Sequence, residues 1–376
     1  MRRIVAISDF CTQVPPLLPV SRVYNSEACL PIAKDTKVTG GYLERLPLAV
    51  VRSGLAEAAE IWSFAGSDTD DIGLTASPHG LGLRRFRADG HPAPYGSADM
   101  LHHIASAGAP EILCVWGLGV TKDVLRECRE SVTIYNSLDV DALRIPADIS
   151  QYIDIFLTGS DRQTQEVLAR HPDALVAMLP IGPEFASADT FFPINLEKEF
   201  DVIYVAAAQP YKRHDILFDA LAKLPRSIRA LCVFGYGENA DALRAQVVNM
   251  GLDVTFVGPP GVPFDEVNRL MNRARIGLVC GADDGAPAIL TEYMMAGLPV
   301  LANADLACGL QYIRPDTGRS IAAADFAAGI FDMLRDISRF APREAVLQNW
   351  IWQKSMTYLS PLLEEAKIRQ RQRMSA

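Results

Sequence analysis

From residue 200 onward, short apolar runs alternate with segments of helical period. The runs are DVIYVAAA, RALCVFG, VTFVG, RIGLVC and PVLAN, and between them lie HDILFDALAKL, ENADALRAQVVNMG, PFDEVNRLMNRA and APAILTEYMMAG. In the first of these segments Ile216, Leu217, Ala220, Leu221 and Leu224 fall on one helical face. Strands alternating with helices of this length predict right-handed crossovers and a parallel sheet covered on both faces.

The first half repeats the alternation less cleanly. MRRIVAIS, EIWSFAG, EILCVWG, SVTIYNS, IDIFLTG and ALVAMLPIG read as strands; LERLPLAVVRSG, TKDVLRECR and DRQTQEVLARH read as helices. Residues 66–98, rich in Gly, Pro, Asp and His, predict a long loop or insertion. Periodicity fails again over 183–199, where Pro and charge gather as in a linker. The expectation is α/β with two doubly wound Rossmann-like domains facing a cleft. The first spans residues 1–185 and is completed by a terminal helix over 350–376; the second spans 198–349. In such sheets ligands collect beyond the carboxyl ends of the strands.

Composition narrows the function. At 376 residues the chain exceeds the size at which one core keeps growing. A net charge of -9 speaks against a nucleic-acid partner, whose footprint is basic. The cysteines at 11, 29, 114, 128, 232, 280 and 308 are odd in number and sit mostly in apolar runs, so they read as reduced core residues. Asp9 cuts the first apolar run too short for a signal peptide, and no apolar stretch reaches the roughly 20 residues a membrane span needs. A cytoplasmic setting is expected. The C-terminal Lys367, Arg369, Arg371 and Arg373 offer a footing for weak contact with anionic headgroups, peripheral to the inner face of a membrane.

The candidate chemistry centres on GADDGAPAILTEYMMAG, residues 281–297. Pro287 suits a first helical turn and Gly297 a helix end, which predicts a helix over about 287–296. Glu292 would then lie among Leu290, Tyr293, Met294 and Met295, where an acid costs free energy unless a partner uses it. Asp284 precedes it by eight positions, and the amides of Gly285, Ala286 and Ala288 would stand at the positive end of the helix.

DGAPAILTEYMMAGLPVLA resembles the signature of the retaining GT-B glycosyltransferases, family 4 or group 1, in which an acid is followed eight positions later by Glu and then by Ala-x-Gly-x-Pro-Val. The resemblance implies a GT-B fold and a glycosyltransferase acting on a UDP- or GDP-sugar, with no cofactor and no metal. Glu292 would hold the donor's ribose, and Asp284 would face the donor sugar. VAAAQPYKRHDILFDALAKL resembles the family's phosphate-binding segment, which puts Lys212 against the diphosphate. VFGYGENADALRAQV and VTFVGPP resemble the turns beside the nucleotide, at Gly235, Gly237 and Gly258. TGGYLERLPLAVVRSG resembles the Gly-rich loop that approaches the diphosphate, at Gly40 and Gly41, and NWIWQKSMTYLSPLL resembles the terminal helix that crosses back to the first domain.

The sequence departs from the family pattern at three points. The first acid is Asp284 where Glu is usual; the Arg five residues before the lysine is Ala207, with Arg213 placed to supply a phosphate-gripping guanidinium; and a His after the fourth strand is Asn136. Asp284 and Lys212 are the expected catalytic residues, and Asn136 with Asp139 the acceptor-side candidates. The acceptor, a glycan, a lipid-linked sugar or a small molecule, is set by loops 9–38 and 66–98. Asp139-Val-Asp141 matches the Asp-x-Asp of metal-dependent GT-A enzymes, though a loop or cap role fits the surrounding pattern better. The pair His102 and His103 lacks further ligands at metal spacing. Two other readings compete with transfer: a non-catalytic paralogue that binds a nucleotide sugar, and a sugar-nucleotide epimerase.

Overall fold

The computed structural model describes residues 1–12, 31–65, 72–76, 80–90 and 93–375. It divides into two compact units, Met1–Ile181 with Trp352–Ala376, and Gly182–Ile351.

The first unit carries β1 (Arg3–Thr12), β2 (Ala58–Ala65), β3 (Gly73–Ala76), β4 (Gly82–Arg87), β5 (Ile112–Trp116), β6 (Val132–Asn136), β7 (Ile155–Leu157) and β8 (Leu175–Ala177). Among the described residues they form one sheet in the order β3-β4-β2-β1-β5-β6-β7-β8, parallel except for β3 against β4. ILCVW of β5 and VTIYN of β6 are buried at every position, as central strands covered on both faces must be. The terminal helix Trp352–Ser375 packs on the helix Tyr42–Arg52 and on β6 to β8. Its buried residues Ser355, Met356, Leu359, Leu363 and Ala366 recur at helical spacing, and full burial of each Leu stabilises by roughly 2 kcal/mol.

Two expectations for irregular chain are corrected here. Residues 66–98 contain β3 and β4, which extend the sheet. Arg84, Arg85 and Arg87 hid the second of these strands, yet Arg84 is buried and forks onto the carboxylate of Glu60 on β2, with Nε to Oε2 and Nη2 to Oε1 both at 3.1 Å. The segment read as a linker is part of the second unit. It loses periodicity because its backbone is irregular, while Phe185, Ala186 and Phe191 are buried, the last two in the unit's apolar core.

The second unit carries β9 (Phe200–Val205), β10 (Ala230–Val233), β11 (Val254–Val257), β12 (Ala274–Val279), β13 (Val300–Asn303) and β14 (Gly318–Ile321). Their order is β11-β10-β9-β12-β13-β14, all parallel. The direction of winding reverses at β9, whose neighbours are β10 on one side and β12 on the other, so β9 and β12 flank the topological switch point. Both units are thus Rossmann-like, as the alternation predicts.

Candidate functional site

The loops after β9 and β12 meet at that switch point. After β9 the chain turns through a single 3-10 turn, Pro210–Lys212, and Arg213 then adopts a left-handed conformation (φ 52°) before the helix His214–Lys223 begins. The phenol of Tyr204, buried in β9, donates to the carbonyl of Lys212 at 2.6 Å and fixes this turn. After β12 comes Gly281, where an added Cβ would lie 2.7 Å from the carbonyl oxygen of Tyr211. Only glycine lets the two loops approach this closely.

The approach joins the ammonium of Lys212 to the carboxylate Oδ2 of Asp284, 72 residues away in sequence. The side chains are 19% and 14% exposed, so the pair is partly withdrawn from water. The second carboxylate oxygen of Asp284 accepts from the amide of Ala286 at 3.3 Å, and the Lys212 ammonium also lies 4.8 Å from the centre of the Tyr211 ring.

Glu292 lies on the helix Ile289–Met295, 8% exposed between fully buried Leu290 and Tyr293. The helix starts at Ile289, two residues later than Pro287 suggested, so Gly285, Ala286 and Ala288 form an irregular approach to it. That approach rests on Gly182: a Cβ there would come within 2.1 Å of the Ala286 carbonyl oxygen. The hydroxyl of Thr291 donates to the carbonyl of Pro183 at 2.7 Å and ties the helix to the same segment. Gly235 has open space where a side chain would begin, whereas Gly258 (φ +74°) has the Phe234 carbonyl 2.1 Å from its missing Cβ.

Some predicted residues prove to be occupied otherwise. The guanidinium of Arg213 is turned onto Asp215, Nε to Oδ1 at 2.9 Å and Nη2 to Oδ2 at 2.7 Å, in a half-exposed pair. In the first unit Asn136 is 1% exposed, its Nδ2 donating to the Leu157 carbonyl at 2.9 Å and its Oδ1 accepting from the Ile181 amide at 3.3 Å. An amide so buried braces β6 against its neighbours and offers little to an acceptor. Asp139 pairs with Arg144 and Asp141 with Arg162, so arginines neutralise both acids of the Asp-x-Asp. The amide of Gly41 is capped by Glu44 Oε2 at 2.8 Å, and the carbonyl of Gly40 accepts from Nε of buried Arg45 at 2.9 Å.

His103 is packed on Trp62 and Phe86 while His102 is exposed, so the two do not face a common ion. Burial pushes the imidazoles of His103 and His214 down to about 4, with a further push from nearby Arg84 and Lys212 respectively. Tail cations are spent internally: Lys367 on Glu111 (3.0 Å), Arg369 on Glu365 (2.8 Å) and Arg373 on Asp154 (2.5 Å). These pairs remove much of the charge on which membrane contact was expected to rest. No helix of the described residues is long and apolar enough to cross a membrane. Cys114, Cys128, Cys232, Cys280 and Cys308 are free and buried; Cys29 and the side chain of Cys11 lie outside the described residues, as does much of 9–38 and 66–98.

Sequence reasoning missed the residues that hold the site together. Tyr204, Tyr293, Gly182, Gly277 and Gly281 carry no local signal, because each matters through a contact with a distant segment.

Residues 187–336 match the family model described as Glycosyl transferases group 1. No curated protein sequence gives a significant match. Solved structures resemble the whole chain. A sucrose-phosphate synthase (tll1590) from Thermosynechococcus elongatus is 16% identical over 97% of this chain and 99% of its own, with a TM-score of 0.67. Anabaena Alr3699/HepE, in complex with UDP and glucose, is 14% identical over 97% and 100%, also at 0.67. The apo form of the lipopolysaccharide outer core galactosyltransferase WaaB is 13% identical over 97% and 99%, at 0.61. At such identities the likeness is one of fold, and the fold is that of the GT-B glycosyltransferases.

Proposed function

We propose that the chain is a glycosyltransferase that moves a sugar from a nucleotide-sugar donor to an acceptor hydroxyl, with retention of anomeric configuration and without a metal ion. The observation that carries the reading is the Lys212–Asp284 pair at the β9/β12 switch point, with buried Glu292 following on the next helix. The family match over 187–336 covers these residues, and the likeness to a UDP-bound structure supports a nucleotide donor.

Cleaving the bond between anomeric carbon and phosphate builds negative charge on the diphosphate and positive charge on the sugar ring. In this proposal Lys212 stabilises the leaving diphosphate, Asp284 faces the sugar ring and its hydroxyls, and Glu292 accepts from the ribose hydroxyls. A fixed cation in a partly water-excluded position needs no reorganisation as the charge develops. The acceptor hydroxyl attacks from the face the diphosphate leaves, with a phosphate oxygen taking its proton.

The test is to incubate the protein with UDP-, GDP-, ADP- and dTDP-sugars and to follow melting temperature together with nucleotide release in the presence of EDTA. One nucleotide should raise the melting temperature and be released when an acceptor is supplied. A melting shift without release across a broad acceptor panel would favour a nucleotide-sugar-binding module instead. A product of inverted anomeric configuration, read by NMR, would exclude retention.

A further inference from the structure

We propose that Asp284 makes the site discriminate a nucleotide sugar from the free nucleoside diphosphate left after transfer, through its pairing with Lys212. This rests on the reading above and adds a specificity role to it.

The argument starts from how firmly the carboxylate is held. One oxygen of Asp284 takes the Lys212 ammonium and the other takes the Ala286 amide. Lys212 is itself fixed through the Tyr204 hydrogen bond to its carbonyl and the close approach of Gly281. With side chains only 14% and 19% exposed, neither partner can turn freely into water. An anion that reaches Lys212 therefore arrives beside a carboxylate that stays in place.

The two ligands meet this carboxylate differently. In a nucleotide sugar the outer phosphate is esterified and bears one negative charge, and the attached sugar presents hydroxyls that donate to Asp284. In the free diphosphate the same phosphate bears a second ionisation with a pKa of about 6, as phosphate monoesters do, and it has no hydroxyl to offer. Lys212 attracts its extra charge while the fixed carboxylate beside it repels that charge, so the pair gives the free diphosphate little return for its second ionisation. The ion pair thus favours the donor and helps expel the product.

Calorimetric titration of the full chain with UDP, GDP, ADP and dTDP, and with the glucose conjugate of each, tests this for whichever base is bound. Asp284→Asn should tighten the free diphosphate by about tenfold, since it removes one like charge beside the phosphate. It should leave the sugar conjugate unchanged or weaker. In the unaltered chain the affinity for free diphosphate should change little from pH 5.5 to 8 as the outer phosphate ionises; in Asp284→Asn, where Lys212 is no longer opposed, it should rise over that range. Asp284→Glu, which keeps the charge, should keep the discrimination and serves if Asp284→Asn does not fold. Equal or weaker diphosphate binding by Asp284→Asn, with the parent binding normally, overturns the inference alone. Absence of binding of every one of these ligands by the folded parent overturns the functional reading and the inference together.

Discussion

The phenol of Tyr293, next to Glu292 on its helix, accepts a hydrogen bond from the amide of Val205 at 2.6 Å, at the carboxyl end of β9. It also donates to the carbonyl of Ile203 at 3.3 Å, and its ring fits beneath β12 because Gly277 has no Cβ, which would lie 2.4 Å from the ring. One buried side chain therefore fastens the helix bearing Glu292 to the strand that leads to Lys212. Tyr293→Phe keeps the ring but takes the phenol from the partly buried Val205 amide, at an expected cost of about 1 kcal/mol. Denaturant unfolding measures the loss; an unchanged midpoint would show that the phenol does not brace the site.

Lys212→Ala should abolish the rise in melting temperature produced by the nucleotide sugar. With its partner gone, Asp284 remains as an uncompensated carboxylate facing the ligand phosphates. A melting shift equal to that of the parent chain would contradict the phosphate assignment.

Asp284→Asn should lower turnover by at least about 100-fold, the order seen when a fixed electrostatic group is removed from an active site. Binding of the nucleotide sugar should largely persist. Single-turnover nucleotide release separates the two effects, and unimpaired turnover would remove Asp284 from the chemistry.

Acid should destabilise the fold through its buried histidines. The imidazoles of His103 and His214 titrate at about 4 in the folded chain, against 6.5 when solvated. Between these values the unfolded chain binds more protons, so stability is full above pH 6.5 and is lost as pH falls toward 4. Unfolding free energies measured from pH 7 to 4.5 should slope accordingly, and replacing both residues by Leu should flatten that slope. An unaltered slope would assign the effect to other groups.

Glu60→Gln should cost about 3–5 kcal/mol, because it neutralises the carboxylate onto which the guanidinium of buried Arg84 forks. Trp62 Nε1 also donates to Glu60 Oε2, at 2.5 Å, so the loss extends to a second donor. Replacing Glu60 and Arg84 together by apolar residues should recover much of the stability, and a double-mutant cycle reads the coupling.

What the chain announces by itself is periodic. Alternation of strand and helix after residue 200 specifies the parallel sheet, because side-chain period decides which face each element can bury. That Lys212 and Asp284 stand in the segments after two strands, and Glu292 on the helix that follows, was legible from the local pattern around them.

Tertiary structure decided the rest. The burial of Arg84 on Glu60 turns an apparently polar insertion into β4, and the ion pairs of Lys367, Arg369 and Arg373 turn an apparently free basic tail into part of a helix face. Asn136 reads as a ligand contact until its buried amide is seen bonded to backbone on both sides. In each case a charge or hydrogen-bonding group carries the same letter whether solvated, paired or buried. Which of these it becomes depends on partners that the fold positions, most of them distant in sequence.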